Sequence, residues 1–271
     1  MTNSTGMSSP PQTSSPRPGD TYVQSFARGL QVIRSFNADA PRQTLSEVAE
    51  RAGLTRAGAR RILLTLQQLG YVESDGKQFR LTPRILDLGF SYLSSMPIWN
   101  LAEPEVEALV ARVKEASSIA GLDGAEIVYV MRVPTHKIMK ISLGIGSRLP
   151  AFCTSLGRVL LSDLDDEEIV RRLNAGPRPA FTRHTTTEAD GLLQRIRQVR
   201  QQGWCLSNQE LEEGLISVAA PLRGANGRVT AAINVSGQAN RTDEIGMQEQ
   251  ILPALLETAQ AVSRLLRQKA E

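Results

Sequence analysis

The stretch that most limits what this chain can fold into runs from Thr44 to Leu81, where helix caps, a glycine turn and a hairpin signal follow in close order. Thr44 and Glu47 form a Thr-x-x-Glu capping box, in which each residue's side chain accepts from the other's free backbone N–H at a helix start. That helix is expected to run through Val48 and Ala49 to about Ala52. Gly53 then supplies a turn, Leu54 is placed to plug the angle between two helices, and Thr55 caps a third helix over about residues 55–69. Ile62, Leu63, Leu66 and Leu69 point inward at helical spacing, which leaves Arg56, Ala57, Arg60 and Arg61 outward. After Gly70 the period changes. Residues 71–73 and 78–81 read as extended runs around Ser74-Asp75-Gly76-Lys77, and an Asp-Gly turn between such runs signals a hairpin carrying Lys77 and Arg80.

Two helices around a tight turn, followed by a hairpin, make a winged helix-turn-helix, whose third helix lies in a DNA major groove with the wing near the backbone. The charge distribution supports this more than the total does. Net charge is only +3, yet residues 51–72 contain no acid while Arg51, Arg56, Arg60 and Arg61 crowd into their first half. A solvated basic helix face or a three-helix protein-docking module shares some of these signals; the turn, acid-free face and wing together favour double-stranded DNA as the partner. Upstream, Phe26, Leu30 and Ile33 give residues 25–36 the spacing of an amphipathic helix.

At 271 residues the chain exceeds the usual single domain. Residues 1–20 are rich in Ser, Thr and Pro with a single base, Arg17, and read as a disordered tail rather than a secretory signal. The expected division is this tail, a winged helix-turn-helix over 21–82, a dimerising linker helix over 83–97, and a larger domain over 98–271. No apolar run is long enough to span a bilayer, so no membrane association is expected. With only Cys153 and Cys205 there is no disulfide framework, and the cytoplasm is the expected compartment.

The larger domain reads as helices over 104–116, 155–162, 166–174, 189–202 and 244–268. Extended runs cover 125–133, 138–143, 205–207, 216–222 and 229–235, with 125–133 and 138–143 expected to pair and Asn226-Gly227 closing the last hairpin. The whole is an α/β two-domain chain whose second part is an α+β domain with an antiparallel sheet flanked by helices. Its catalytic inventory is thin. The histidines are His136 and His184; no zinc spacing, nucleophile elbow or dinucleotide loop is present, so no metal or cofactor is expected, and the chain reads as not an enzyme. A Cys153/His136 nucleophile pair stays open at this point. Binding is the stronger reading: Thr154 and Ser155 sit at a helix start, where N–H groups and hydroxyls converge on carboxylates. Arg148 offers a bidentate fork to the same group, with a structural salt bridge as the alternative.

Several segments resemble the isocitrate-lyase-regulator (IclR) family of bacterial regulators: residues 25–33, 45–56 and 66–71 in the first half, then Gly146-Ser147-Arg148-Leu149-Pro150, Thr154-Ser155-Leu156-Gly157-Arg158 and residues 213–221 in the second. The resemblance covers about residues 22–268. Residues 54–66 and Met96-Pro97-Ile98-Trp99 are most similar to the PcaR/PobR subgroup, which controls breakdown of protocatechuate, hydroxybenzoate and β-ketoadipate. It departs at Gly58, where the subgroup usually has Ala, and Gly costs about 1 kcal/mol in a helix interior. The resemblance implies a GAF-like effector domain with contacts at Ile138, Ile141, Ser155, Leu156, Ser207, Leu215, Ser217, Asn234 and Ser236, to which the residue reading adds Arg148 and Thr154. For DNA contact the expected residues are Ser25, Arg28, Thr55, Arg56, Ala57, Arg60, Arg61 and Lys77. The expected function is regulation of an aromatic-acid or β-ketoadipate catabolic operon by a homodimer or tetramer, under control of a small carboxylate metabolite such as β-ketoadipate or protocatechuate. The alternatives are a ligand-independent repressor whose C-terminal domain only oligomerises and an enzyme with an appended DNA-binding head.

Overall fold

Why the first eighty residues fold as they do is visible in their caps. In a computed structural model that describes residues 22–95, 98–135 and 143–268, Thr44 N–H donates to Glu47 Oε2 (2.7 Å) and Glu47 N–H to Thr44 Oγ (3.4 Å), starting helix α2 (Leu45–Arg51). Gly53 takes a left-handed φ of +63°, which a side chain would resist, and so turns the chain sharply. Thr55 then accepts from Gly58 N–H at 3.1 Å and opens α3 (Arg56–Gln68). These helices and α1 (Gln24–Ser35) close over Val32, Phe36, Val48, Ala49, Leu63, Leu66 and Val72.

The wing is the antiparallel pair β2 (Val72–Ser74) and β3 (Gln78–Leu81). Its turn is fixed by Asp75 Oδ1, which accepts from the backbone of Lys77 and Gln78, and by Gly76 at φ +93°. A two-residue strand, β1 (Gln43–Thr44), adds to the free side of β3; sequence reading missed it because two residues carry no periodicity. One inward assignment needs correction: Leu69 (51% exposed) does not enter the core, and Phe26 and Leu30 (68% and 39%), which give α1 its helical spacing, also stay outside it. They line an open apolar groove of about 730 Å³ with Ile33, Ile62 and Leu88, because α1 commits only its Val32 side to the core.

A 3-10 turn at Pro83–Ile85 leads into α4 (Leu86–Ser95), and the chain divides into two units inside it, at Ser91/Tyr92. In the second unit α5 covers Ile98–Val113. The expected helix over 104–116 was wrong at both ends: Pro104 lies within the helix instead of opening it, and Lys114 at φ +58° ends it. The missed strand β4 (Ala116–Asp123) follows and pairs with β5 (Glu126–Val133). The pair expected between 125–133 and 138–143 is therefore corrected. The other edge of β5 meets β6 (Arg148–Pro150), residue 143 is coil, and residues 136–142 lie outside the described part.

The second unit's sheet is antiparallel throughout, with order β6-β5-β4-β9-β8-β7, where β7 is Cys205–Asn208, β8 Leu215–Arg223 and β9 Val229–Gln238. Period-two alternation sorts its faces. Ile119, Met131, Ile216, Val218, Ile233 and Val235 join the core shared with α5 and α10 (Leu252–Gln268). The helix expected over 244–268 is present as one continuous run, in which a π turn at Met247–Ile251 separates a short α9 (Glu244–Gly246) from α10. On the opposite face Ala120, Ala219 and Ala232 lie in the core of α6 (Ser155–Leu161), α7 (Asp166–Leu173) and α8 (Ala189–Gln202). The residues are short because α6 crosses β4, β8 and β9 there. Two residues further along the same stripes, alanine gives way to polar side chains, Ser118 on β4, Asn234 on β9 and Ser217 on β8, with Ser236 a further two residues along β9.

Candidate functional site

The first candidate surface is the start of α3. Thr55, Arg56, Ala57, Arg60 and Arg61 are all exposed, at the helix end where unpaired N–H groups and the macrodipole favour anions. Among the described residues no carboxylate lies within ion-pair distance of Arg56, Arg60, Arg61, Arg28 or Lys77. Arg80, by contrast, bonds Glu73 on the neighbouring strand of the wing, which leaves Lys77 as the wing's unpaired base. Ser25 and Arg28 are exposed on α1 and share the wall of the apolar groove with Gly58 and Arg61. Gly58 is the third residue of α3 rather than an interior one. A Cβ there would stand 3.2 Å from Thr55 Oγ, the atom that caps the helix.

The second surface is a cavity where α6 meets the polar stripes of the sheet. Thr154 caps α6 by accepting from Gly157 N–H at 3.2 Å, and its hydroxyl donates to Pro150 O at 3.0 Å. Ser155 Oγ and Ser217 Oγ are 2.8 Å apart, and Ser207 Oγ donates to Cys153 O. Asn234 Nδ2 donates to Ser236 Oγ at 3.0 Å, while Asn234 Oδ1 is buried with no hydrogen-bond partner. Leu156 and Leu215 add apolar wall. The structure thus brings Thr154, Ser155, Leu156, Ser207, Leu215, Ser217, Asn234 and Ser236 to one cavity, whose volume is only about 40 Å³.

Arg148 is not among them. It sits on edge strand β6, its side chain 42% exposed, bonding Asp123 Oδ2 (2.6 Å) and Glu126 Oε2 (2.7 Å), and these two acids raise its pKa. The fork assigned to a ligand is corrected to a clamp between β6 and the β4–β5 hairpin. Ile138, Ile141 and His136 lie outside the described residues. Cys153 is a poor nucleophile: burial pushes its thiol up to about 12, and Cys205 to about 11, so neither supplies thiolate at neutral pH.

Sequence reading missed several wall residues, chiefly Tyr129, Arg132, Glu210 and Glu212. Arg132 had a visible signal, being the one base in the apolar run of β5. Its Nη1 donates to Ser118 Oγ at 3.4 Å. Tyr129 is held protonated by burial, which pushes its hydroxyl up to about 12 against the opposing charge of Arg132. Glu210 gave no local signal, because its partner is distant in sequence. Arg158 Nη1 and Nη2 bond its two oxygens at 2.5 and 2.6 Å, Arg158 Nε donates to Phe152 O, and Thr186 N–H donates to Glu210 Oε2. Burial works against the charge on Arg158, but Glu210 more than restores it, leaving the pKa raised. Among the described residues no group of His, Cys, Asp and Glu is placed to hold a metal, and no helix is long and apolar enough to cross a membrane.

A basic, cap-presented helix backed by a wing, on a chain whose second unit places a polar cavity beneath a helix N-terminus, defines a DNA-binding regulator with a sensor domain. The chain belongs to the IclR family of bacterial transcriptional regulators: residues 25–76 match the IclR helix-turn-helix domain and residues 90–264 the IclR C-terminal domain. Over 236 residues it is 40% identical to the Pca regulon regulatory protein of Pseudomonas putida, covering 87% of this chain and 81% of that protein. Over 252 residues it is 37% identical to the p-hydroxybenzoate hydroxylase transcriptional activator of Acinetobacter baylyi, covering 91% and 93%. The crystal structure of an IclR homolog from Microbacterium hydrocarbonoxydans, complexed with 4-hydroxybenzoate, superposes with a TM-score of 0.77 at 25% identity, covering 90% of this chain and 99% of that one.

Proposed function

We propose that this regulator controls an aromatic-acid catabolic operon and responds to a small aromatic carboxylate bound at the head of α6. The observation that carries the reading is the buried Asn234 amide oxygen without a donor, beside the hydroxyls of Ser155, Ser217 and Ser236. A buried acceptor left unpaired costs free energy that a ligand donor would recover. The names of the relatives and the 4-hydroxybenzoate complex of the Microbacterium protein support the aromatic class. Thr154, Leu156, Ser207 and Leu215 complete the proposed contacts.

A cavity of about 40 Å³ has room for only a few waters. An aromatic acid enters only an expanded arrangement, so binding selects that arrangement from the ensemble. Helix α4 runs without a break across the division between the two units and is the proposed carrier of that preference to the DNA-binding head. DNA contact is assigned to Ser25, Arg28, Thr55, Arg56, Ala57, Arg60, Arg61 and Lys77. The exposed Leu86, Leu88 and Phe90 of α4 support a homodimer or tetramer, acting in the cytoplasm without catalysis.

The test is thermal unfolding of the full chain with 4-hydroxybenzoate, protocatechuate and β-ketoadipate, followed by operator titrations with each. A ligand that binds only folded protein raises the midpoint, and an effector also changes DNA affinity. A ligand-independent repressor would show neither change with any of them.

A further inference from the structure

The cavity's charges are segregated. Among its described wall residues the one cation is Arg132, on β5, while the carboxylates are Glu210 and Glu212, in the segment after β7. In the sheet order β5-β4-β9-β8-β7, Arg132 stands on β5 and the acids follow β7, the strand at the opposite end of that run. Arg132, Ser118 and Asn234 fall in one cross-strand row, Arg132 opposite Ser118 and Ser118 opposite Asn234. Arg132 already reaches along this row, since its Nη1 contacts Ser118 Oγ on the neighbouring strand. At the far end of the row lies the orphan acceptor, Asn234 Oδ1, on a side chain only 3% exposed.

Resting on the effector reading above, we infer that Arg132 receives the effector's carboxylate, that Asn234 Oδ1 accepts from a ring hydroxyl, and that Glu212 turns away a second carboxylate. The effector is then a hydroxylated aromatic monocarboxylate rather than a dicarboxylic acid.

The backbones of Arg132 and Asn234 are two inter-strand steps apart, about 10 Å, and the arginine's lean toward Ser118 shortens that gap to one a benzene ring bridges. The guanidinium fork matches a carboxylate in shape and charge. Glu210 is neutralised by Arg158, but Glu212 has no ion-pair partner among the described residues, so a second ligand anion at that end meets a like charge. A phenolic hydroxyl carries no charge and can donate to the orphan Asn234 Oδ1.

The experiment is calorimetric titration of the full chain with 4-hydroxybenzoate, 3,4-dihydroxybenzoate, benzoate, 4-hydroxybenzamide and adipate, repeated on Arg132→Gln, Arg132→Lys and Asn234→Leu. Wild type is expected to bind a hydroxybenzoate about 10- to 100-fold more tightly than the amide, the value of one charge-assisted pair, and adipate more weakly than either acid. Arg132→Gln should erase the acid-over-amide ratio while Arg132→Lys keeps part of it, and Asn234→Leu should erase the preference for 4-hydroxybenzoate over benzoate. Equal binding of acid and amide by wild type, a ratio that survives Arg132→Gln, or adipate binding tighter than both hydroxybenzoates overturns the inference and leaves the carboxylate-regulator reading standing. Should Arg132→Gln not fold, the wild-type acid/amide ratio and Asn234→Leu decide it. If no hydroxylated benzoate binds wild type, the aromatic-effector reading falls and this one with it.

Discussion

Breaking the Arg158–Glu210 pair tests what holds the Glu210 wall of the cavity in place. The two side chains are 1% and 5% exposed and make two charge-assisted bonds, so removing either partner strands a charge in the interior, at a typical cost of about 3–5 kcal/mol. The surroundings make the two losses unequal. Without Arg158, Glu210 keeps Thr186 N–H at 3.2 Å and the half-exposed Arg195 at 3.7 Å, so Arg158→Met belongs near the low end, about 3 kcal/mol. Without the carboxylate, Arg158 keeps only Phe152 O at 2.9 Å, and Glu210→Leu belongs near the high end, about 5 kcal/mol. The double change Arg158→Met/Glu210→Leu removes both charges and should lie within about 2 kcal/mol of wild type, leaving a large coupling in the double-mutant cycle. Urea unfolding followed by tryptophan fluorescence measures this cleanly, because both tryptophans, Trp99 and Trp204, fall in the second unit. Additive single costs, or a double variant worse than either single, would refute the reasoning that stranded charge dominates.

Gly157→Ala would place a Cβ 2.2 Å from Ala151 O and 2.3 Å from its Cα, both backbone atoms; a loss of about 3 kcal/mol or more is expected in the same urea assay, and a cost under about 1 kcal/mol would show that α6 slides freely. Both thiols have raised pKa values, so their stabilising contribution is complete below about pH 9 and is lost as pH rises toward 11–12; at pH 8 a thiol reagent should label neither Cys153 nor Cys205 in folded protein and both in denaturant. Arg56→Ala and Arg60→Ala should each weaken operator binding by about 1–3 kcal/mol where they read bases, whereas Lys77→Ala should lower the salt slope by about one; unchanged isotherms for all three would remove the recognition-helix assignment.

What sequence could reveal tracks the range of the interaction that fixes it. The capping box at Thr44 and Glu47, the Gly53 turn and the Asp75-Gly76 and Asn226-Gly227 hairpins are local and legible, since each needs only neighbours a few residues away. β4 carries no period-two signal of its own: Ala116 fits the end of the preceding helix pattern, Ser117 and Ser118 suit either state, and only pairing with both β5 and β9 makes them a strand. Phe26 and Leu30 have core spacing but lie in a groove, as spacing cannot say how much of an apolar face one unit covers. Arg148 misled for a related reason: a fork that suits a ligand carboxylate suits Asp123 and Glu126 equally well, and those acids are already beside it.

The same sheet face performs two tasks because each strand changes character along its length. Beneath α6 the stripe is alanine, which lets the helix pack closely; one step beyond, it becomes Ser118, Asn234, Ser217 and Ser236, where the cavity begins. Polar residues at the cavity positions can be exchanged to suit a different ligand without touching the packed alanines. The link to stability runs instead through Glu210, which is at once a cavity wall and the partner of Arg158 on the helix whose N-terminus faces the cavity. A change at the Glu210 wall therefore reaches an element held by a buried ion pair.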